Sequence, residues 1–456
     1  MSAVLGDRWE TLSADRRAEF LARRVAAGRW PFGAEEGWQR GRVWQPSRPL
    51  VLDAAAYAAL GTVTSRLLRL AVDCCRRRAA TAGELCAVMA DRRSLRLLDP
   101  AQPLTHAAPV PIARPDVLLC QGIPRFVELN IAIPLYGIPA LDRMAAAYVR
   151  LWAGEPLVAA RPVLRARSAL LRQVAPPPAR VLVPTWRSTG GQARKLGTRR
   201  ALRAYLRPTV EDARRCGVDV VVADLSRVRT GAHGRLYADG RRVDVVFNWF
   251  VSAGVVDDAG GVEAIGRAQA AGTVRLFFPE TMRLLSSKQV LAWLHEDLPL
   301  LGRHDRDLVL AHVPWTVWTG PGQLSSRRAG VLRTAVREQG DLVLKPATGS
   351  SGNGVVFGSD VDSGTWRALL AERSSVDTVV LQRRVVADRT TMSFFAPDSG
   401  CRAATRLPCV LSPFLVDGRI CGALVRHPGP DDLDGSHTIN THTGAIANTV
   451  VLKRSH

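Results

Sequence analysis

The chain has 456 residues, 47% of them hydrophobic and 23% charged, which is enough apolar material for two or three packed domains and argues against a disordered chain. Its formal net charge is +21, but only four of its 62 basic residues are lysines, and the 58 arginines are scattered in ones, twos and a few threes. Because there is no basic tail and no alternation of basic with aromatic residues, a nucleic-acid-binding role is disfavoured.

Cysteine usage and the N-terminal sequence bear on the compartment. The eight cysteines form no C-x-x-C pair and no regular framework, which favours reduced thiols and a cytoplasmic protein. The first twenty residues are charged from Asp7 onward and lack the apolar core of a signal peptide, and no run of about 18 apolar residues occurs. We therefore expect neither secretion nor membrane insertion.

The first two predicted regions differ in their periodicity. Residues 1–107 are predicted to be mostly helical, with helices at residues 16–26 and 53–75. Residues 108–175 change to short extended segments at 116–120 and 125–131, separated by a Gly- and Pro-containing turn. This second pattern is typical of a hairpin.

A proline-rich stretch at residues 175–178 predicts a domain boundary. Strands predicted at residues 181–184, 218–223 and 243–249 alternate beyond it with a helix at 209–216. This alternation predicts a small α/β layer domain over residues 176–278.

The last region, residues 279–456, mixes one strongly apolar helix at 286–295 with several strands and a β-rich tail. The strands are predicted at residues 342–345, 355–357 and 379–382. The fold class is therefore α/β in the broad sense that includes α+β.

The most specific local signal is an apolar strand that runs into a glycine-rich turn and a second apolar strand, LVLKPATGSSGNGVVFG at residues 342–358. Gly349, Gly352 and Gly354 allow backbone amides to approach phosphate oxygens, and Lys345 supplies a point charge at the strand end. The segment lacks the Walker A pattern G-x-x-x-x-G-K-[ST], and no helix follows its glycines as in a Rossmann fingerprint. A plain glycine-rich hairpin is the alternative, but the rarity of lysine in this chain favours a nucleotide-phosphate site.

A second lysine, Lys288, stands after two serines at the start of the apolar helix. A lysine in the first helical turn opposes the helix dipole, so a bound anion would relieve an unfavourable arrangement. A solvated lysine is the alternative.

Oxygen-bearing side chains cluster in the predicted hairpin, in Arg114-Pro-Asp116 and in Glu128-Leu-Asn130 twelve residues after Asp116. Residues two apart on a strand face the same side, so Glu128 and Asn130 could both present oxygens, and Asp116 could join them from the neighbouring strand. Two carboxylates and an amide oxygen suit Mg²⁺. A surface hairpin or a capped turn is the alternative.

In order and spacing these motifs resemble the circularly permuted ATP-grasp ligases of the glutathionylspermidine synthetase type. That family carries R-x-D, then E-x-N twelve residues after its Asp, an S-N-K helix start, K-P before a glycine-rich loop, and a late G-x-x-x-R segment, which matches Gly422 to Arg426 here. The resemblance covers residues 111–134 and 279–453; S-N-K is replaced by S-S-K, and we expect no amidase domain. It implies a circularly permuted ATP-grasp fold with a small α/β domain before the nucleotide-binding region and an N-terminal helical extension.

The resemblance also implies the cofactors ATP and Mg²⁺ and a role for each matching residue. Magnesium would be held by Asp116, Glu128 and Asn130, the ATP phosphates by Lys288, Lys345 and the glycines 349, 352 and 354, the transferring phosphoryl group by Arg114 and Arg426, and the adenine would lie beside Gln382.

The implied reaction joins a small-molecule carboxylate to an amine through an acyl phosphate, forming an amide and releasing ADP. The arginine- and alanine-rich composition associates such a stand-alone ligase with bacterial natural-product biosynthesis. The rivals are a non-catalytic ATP-binding or scaffold protein on the same fold and, less favoured, a basic nucleic-acid-binding protein. The oligomeric state stays open.

Two further site types are disfavoured. His437, Asn440 and His442 could suggest zinc, but no Cys or carboxylate nearby completes a tetrahedral set. A serine nucleophile is not supported because no G-x-S-x-G elbow occurs.

Overall fold

A computed structural model describes residues 44–91, 93, 95–104, 110–131, 135, 137–151, 156–188, 198–349, 352–396, 402–431, 438–440 and 444–454. The helix predicted at residues 16–26 lies outside these residues. The described residues form several β-sheets with helices packed against them, which confirms the mixed α/β class. None of the helices in this part of the chain combines the length and the apolar composition that crossing a membrane requires.

The helices, in chain order, are α1 (Ala54–Arg76), α2 (Ala82–Val88), α3 (Ile138–Leu151), α4 (Val163–Val174), α5 (Arg199–Arg215), α6 (Gly261–Ala270), α7 (Thr281–Leu285), α8 (Gln289–Glu296), α9 (Arg303–His312), α10 (Ser325–Arg337) and α11 (Ser363–Val376). The strands are β1 (Gln45–Pro46), β2 (Leu50–Asp53), β3 (Ile112–Ala113), β4 (Asp116–Cys120), β5 (Ile123–Glu128), β6 (Leu157–Val158), β7 (Arg180–Thr185), β8 (Arg187–Ser188), β9 (Asp219–Asp224), β10 (Val228–Thr230), β11 (Leu236–Ala238), β12 (Arg241–Val243), β13 (Val245–Val246), β14 (Val255–Val256), β15 (Arg275–Leu276), β16 (Thr316–Thr319), β17 (Leu342–Pro346), β18 (Val356–Phe357), β19 (Val379–Arg383), β20 (Arg389–Phe395), β21 (Arg402–Pro408), β22 (Val410–Val416), β23 (Arg419–His427) and β24 (Ile446–Lys453).

The large sheet has the strand order β2-β24-β23-β22-β4-β5, with β3 paired to β22 and β6 to β24. Strand β2 runs parallel to β24, so Leu50 lies opposite Val450, four hundred residues later in the chain. Every residue of β22 is buried, because the strand lies in the middle of the sheet. The large sheet thus joins the first and last described strands of the main core.

Helix α1 packs on this sheet and confirms the helix predicted at residues 53–75. The side chain of Asp53 caps the helix by accepting the backbone N–H of Ala56 at 2.8 Å. Leu60, Leu67 and Leu70, which are at helical spacing, are buried in the core. The hydroxyl of Tyr57 donates to the carbonyl of Cys421 at 2.7 Å and ties the helix to β23.

The small sheet has the order β16-β19-β17-β18, and all its pairings are antiparallel. It has its own core, which includes Leu344, Trp366 and Leu381, against the helices α10 and α11. The glycine-rich segment connects β17 to β18, as the sequence predicts for a strand-loop-strand unit.

The middle of the chain forms a parallel sheet of order β15-β13-β7-β9, which agrees with the predicted α/β layer. Two predicted bounds are wrong. The strand predicted at residues 243–249 is divided, because β12 pairs with β11 whereas Asp244 bonds to the parallel sheet. The backbone N–H of Asp244 donates to the carbonyl of Arg180, and its carbonyl accepts from the N–H of Arg275. The helix predicted at residues 209–216 is the second half of α5, which continues through Pro208. The domain boundaries near residues 107, 175 and 278 stay a prediction.

Candidate active site

A cavity of about 470 Å³ lies between the large and the small sheet. Among the described residues, six basic and two acidic side chains line it, and this excess of positive charge suits a polyanion such as a nucleoside triphosphate. The lining side chains used below are Asp116, Glu128, Lys288, Lys345, Gln382 and Arg426. The fold brings these side chains together from five separate segments of the sequence.

A β-bulge in the β4–β5 hairpin places both carboxylates along the cavity. Val117 pairs with Phe126, but Asp116 pairs with Glu128, so Val127 is an extra residue in β5. Phe126 is fully buried on the side away from the cavity, and regular alternation would send Glu128 to that same side. The bulge reverses this, which confirms the expectation that Asp116 and Glu128 meet from neighbouring strands.

Asp116 belongs to a buried triangle with Arg426 and Ser412. Nη2 of Arg426 lies 2.6 Å from Oδ1 of Asp116, and only 5% of the arginine side chain is exposed. The Ser412 hydroxyl donates to the same Oδ1 at 2.8 Å and accepts from Nη2 of Arg426 at 3.0 Å. Arg426 is therefore a buried side chain and not a solvated strand end.

The charges around Asp116 keep it ionised. Burial by itself would raise the pKa of Asp116, but the positive charges of Arg426 and Arg114 and the hydrogen bonds from the triangle outweigh it and hold the pKa below its usual value. Asp116 is thus a carboxylate at neutral pH, as a metal ligand must be.

The tripeptide Ser286-Ser287-Lys288 joins three segments of the chain at the start of α8. The Ser286 hydroxyl accepts from the backbone N–H of Ile131 at 2.8 Å. The Ser287 hydroxyl and the Lys288 backbone N–H both donate to the carbonyl of Ala347, at 3.4 and 2.9 Å. The loop after β17 and the end of the β4–β5 hairpin are therefore anchored to one point.

The ammonium of Lys288 faces the cavity and contacts both of its sides. Its Nζ lies 2.8 Å from Oε1 of Glu128 and donates to the carbonyl of Gly349 at 3.5 Å. The residue is only 7% exposed, which contradicts the alternative of a solvated lysine.

Lys345 also lines the cavity and is held by neutral acceptors. Its Nζ donates to Oε1 of Gln382 at 2.6 Å and to the carbonyl of Val127, the bulge residue, at 3.3 Å. Gln382 is itself fixed, because its amide donates to the Thr316 hydroxyl at 3.1 Å. Burial lowers the pKa of Lys345 to about 8, and these neutral acceptors do not offset the loss of hydration.

The glycine loop after β17 uses conformations that glycine favours. Gly349, Gly352 and Gly354 have φ values of 135°, 74° and 76°. A methyl group at Gly352 would lie 2.7 Å from Cγ2 of Thr438, and one at Gly354 would lie 2.8 Å from Cγ of Pro346. Gly349 and Gly352 line the cavity, whereas Gly354 shapes the return of the loop.

Three predicted site residues, Arg114, Asn130 and Gly354, are not among the residues that line the cavity. The strand predicted at residues 125–131 ends at Glu128, so Asn130 is not related to Glu128 by strand alternation. The carbonyl of Asn130 instead accepts from the backbone N–H of Arg114 at 2.7 Å, while the Arg114 guanidinium lies over Phe414 at 5.7 Å. His437 and His442 lie outside the described residues.

The donor set at the bulge fits Mg²⁺ better than a softer metal. The contacts above engage Oδ1 of Asp116 and Oε1 of Glu128, and each carboxylate, on the cavity lining, has a second oxygen. Hard carboxylate oxygens with room for phosphate oxygens and water are the usual ligands of Mg²⁺. Within the described part of the chain, no group of three or more His, Cys, Asp or Glu side chains is arranged to hold a metal without a ligand's help.

Sequence reasoning missed Ser412 and the separate contacts of Ser286 and Ser287. Ser412 lies in an apolar strand, and a buried serine in such a strand is the only signal that the sequence offers.

Comparison with solved structures shows the fold. The chain is similar to a glutathione synthetase-like effector, GSS30, from Globodera pallida, with a TM-score of 0.54 and 12% sequence identity over 90% of each chain. This likeness shows an ATP-grasp ligase-like fold, and the circular permutation stays a prediction.

Two other solved structures are less similar. They are a putative gamma-glutamylcysteine synthetase from Methylobacillus flagellatus (TM-score 0.41, 14% identity, 84% of this chain and 86% of that one) and the D-cycloserine synthetase DcsG (TM-score 0.30, 19% identity, 59% and 75%). With TM-scores below 0.5 they add no support of their own. No protein-family model matches the chain, and no curated protein matches its sequence.

Proposed function

We propose that the protein is an ATP- and Mg²⁺-dependent ligase that joins a small-molecule carboxylate to an amine and forms an amide. One observation carries the proposal: on an ATP-grasp ligase-like fold, one cavity is lined by two lysines, a glycine loop, two paired carboxylates and a buried arginine. This combination provides both cationic and metal-binding groups for a triphosphate.

The lysines would bind the phosphates of ATP. Lys288 and Lys345 both point into the cavity, and each is now held by protein oxygens that a phosphate oxygen could replace. Backbone N–H groups of the glycine loop would add donors. The adenine would lie beside Gln382, against the apolar side chains of Val343 and Phe357.

The carboxylates would hold the metal. Asp116 and Glu128 would bind Mg²⁺ through their second oxygens, and Asn130 remains a predicted third ligand. When bound, Mg²⁺ would supply charge neutralisation on the phosphate oxygens.

The reaction has two steps. An oxygen of the substrate carboxylate attacks the γ-phosphorus of ATP, the bond to the β-phosphate oxygen breaks, and ADP leaves. The amine then attacks the acyl carbon, the acyl–phosphate bond breaks, and the amide, inorganic phosphate and a proton are released. Arg426 would stabilise the charge on the transferring phosphoryl group, and the positive charge of Arg114 would add to this stabilisation.

A screen for trapped acyl phosphate tests the proposal without knowledge of the amine. Hydroxylamine replaces the amine, pooled carboxylic acids are offered with Mg²⁺-ATP, and ADP release is measured together with hydroxamates by mass spectrometry. We expect ADP and a hydroxamate in equal amounts for at least one acid, and neither with Lys345→Met. Tight ATP binding without ADP release from any pool would favour the non-catalytic alternative. If an acid is turned over, offering it with bacterial amines in place of hydroxylamine would test natural-product biosynthesis as the setting.

A further inference from the structure

We propose that Ser412 is a positioning residue that decides which oxygen of Asp116 is offered to the divalent cation. The inference rests on the proposed function of the cavity. It concerns a residue that makes no contact with ATP in that proposal and acts only through its two neighbours in the buried triangle.

The geometry of the triangle is closed. Ser412 is fully buried on β22, and its one hydroxyl proton is donated to Oδ1 of Asp116 at 2.8 Å. Its lone pair accepts from Nη2 of Arg426 at 3.0 Å, while Nη2 lies 2.6 Å from the same Oδ1. Both donors therefore converge on a single carboxylate oxygen, and none of the described residues donates a hydrogen bond to Oδ2.

Arg426 has an obvious alternative arrangement that Ser412 prevents. The Nε atom of Arg426 is buried and has no hydrogen-bond partner among the described residues. Nε and Nη2 are adjacent on the planar guanidinium and match the two oxygens of a carboxylate in a bidentate pair. Such a pair with Asp116 would satisfy Nε but would occupy Oδ2.

The serine opposes that pairing from both ends. Its hydroxyl oxygen accepts from Nη2, which fixes the rotation of the guanidinium. Its proton is donated to Oδ1 and takes up part of the capacity of that oxygen to accept hydrogen bonds. Without it, we expect Arg426 to pair with both oxygens of Asp116. The cation would lose Oδ2, and the guanidinium would be drawn away from the transferring phosphoryl group.

Mn²⁺ binding in the presence of saturating ADP, measured by electron paramagnetic resonance, tests the inference. Ser412→Ala should weaken Mn²⁺ binding by about tenfold, which is the effect expected when a hydrogen bond that orients a metal ligand is lost. Metal-free ADP binding should change less than about twofold. Ser412→Thr keeps the hydroxyl and should retain most of the affinity. Ser393→Ala is the matched control, because Ser393 is also buried on a strand but its hydroxyl has no partner among the described residues.

A second comparison separates positioning from a general packing defect. If Ser412 acts by restraining the guanidinium, it has no effect once that group is absent, so Arg426→Gln/Ser412→Ala should bind Mn²⁺ as tightly as Arg426→Gln alone. A loss that persists in the Arg426→Gln background would overturn the inference, as would a folded Ser412→Ala variant with unchanged Mn²⁺ affinity. A parent protein that binds neither ADP nor Mn²⁺ would instead overturn the proposed function, and this inference with it.

Discussion

Raising the pH should weaken nucleotide binding through Lys345. Burial lowers the pKa of this lysine to about 8 in the empty site, well below the 10.5 of a solvated lysine. Bound phosphates would favour the charged ammonium, so the bound form has the higher pKa. Only the protonated empty protein binds well, and deprotonation therefore competes with the nucleotide.

The size of the effect follows from the pKa. With a pKa of about 8, the protonated fraction of Lys345 in the empty protein falls from about nine-tenths at pH 7 to about one-tenth at pH 9. The apparent Kd for ADP should then rise about tenfold across this range, because affinity is reduced by the fraction that is competent to bind. Binding at pH 9 should take up about one proton per nucleotide.

Isothermal titration at constant ionic strength in buffers of different ionisation enthalpy measures both quantities. Lys345→Arg is the matched control, since its guanidinium stays charged throughout and any titration of the nucleotide itself is shared by both proteins. A Kd for the parent protein that is flat from pH 7 to pH 9, or an equal rise in Lys345→Arg, would refute the reasoning.

Three other substitutions test separate parts of the site. Lys345→Met removes a charge whose burial is unfavourable, so it should raise the Tm of the empty protein while abolishing the ADP-induced rise in Tm in scanning fluorimetry; a lower Tm would contradict this. Arg426→Lys should lower kcat about tenfold or more with nearly unchanged ATP affinity, because an ammonium cannot reproduce a planar fork in the transition state, and parent-like steady-state kinetics would remove that role. Gly352→Ala combines a φ of 74° with a 2.7 Å contact to Thr438 and should weaken ADP binding. Gly272→Ala, with a φ of 66° and nothing within 4 Å, is the control that carries backbone strain alone, and equal ADP affinity in the two variants would contradict a role for the loop.

Local patterns predicted the elements that carry the site. Strand β4 has the bounds predicted from a short extended segment and the turn that follows it, and Gln121 and Gly122 adopt the positive φ values of a tight hairpin turn. The strand-loop-strand unit that carries Lys345 and the glycines was predictable for the same reason, because it depends on residues close in sequence.

The parts that the sequence could not predict depend on distant neighbours. Ser412 and Asp116 are 296 residues apart, and nothing local to either residue indicates their hydrogen bond. Pro208 favours a helix end, yet α5 continues through it, because the buried face around Tyr205 and Val210 holds both halves against the parallel sheet. The prediction that Glu128 and Asn130 face the same side assumed a strand that continues, whereas the strand ends at Glu128.

The bulge at Val127 makes the register between strands β4 and β5 part of the chemistry. Inserting one residue between Asp116 and Val117 would give Val127 a partner and restore the regular register, and it would turn Asp116 and Glu128 to the apolar side of Phe126, away from Lys288. Every catalytic side chain named above would still be encoded in such a protein, yet both carboxylates would be missing from the cavity. Activity at this site is thus open to loss by a three-nucleotide insertion that leaves each of its motifs readable, so an intact set of motifs in a related chain does not by itself imply an assembled site.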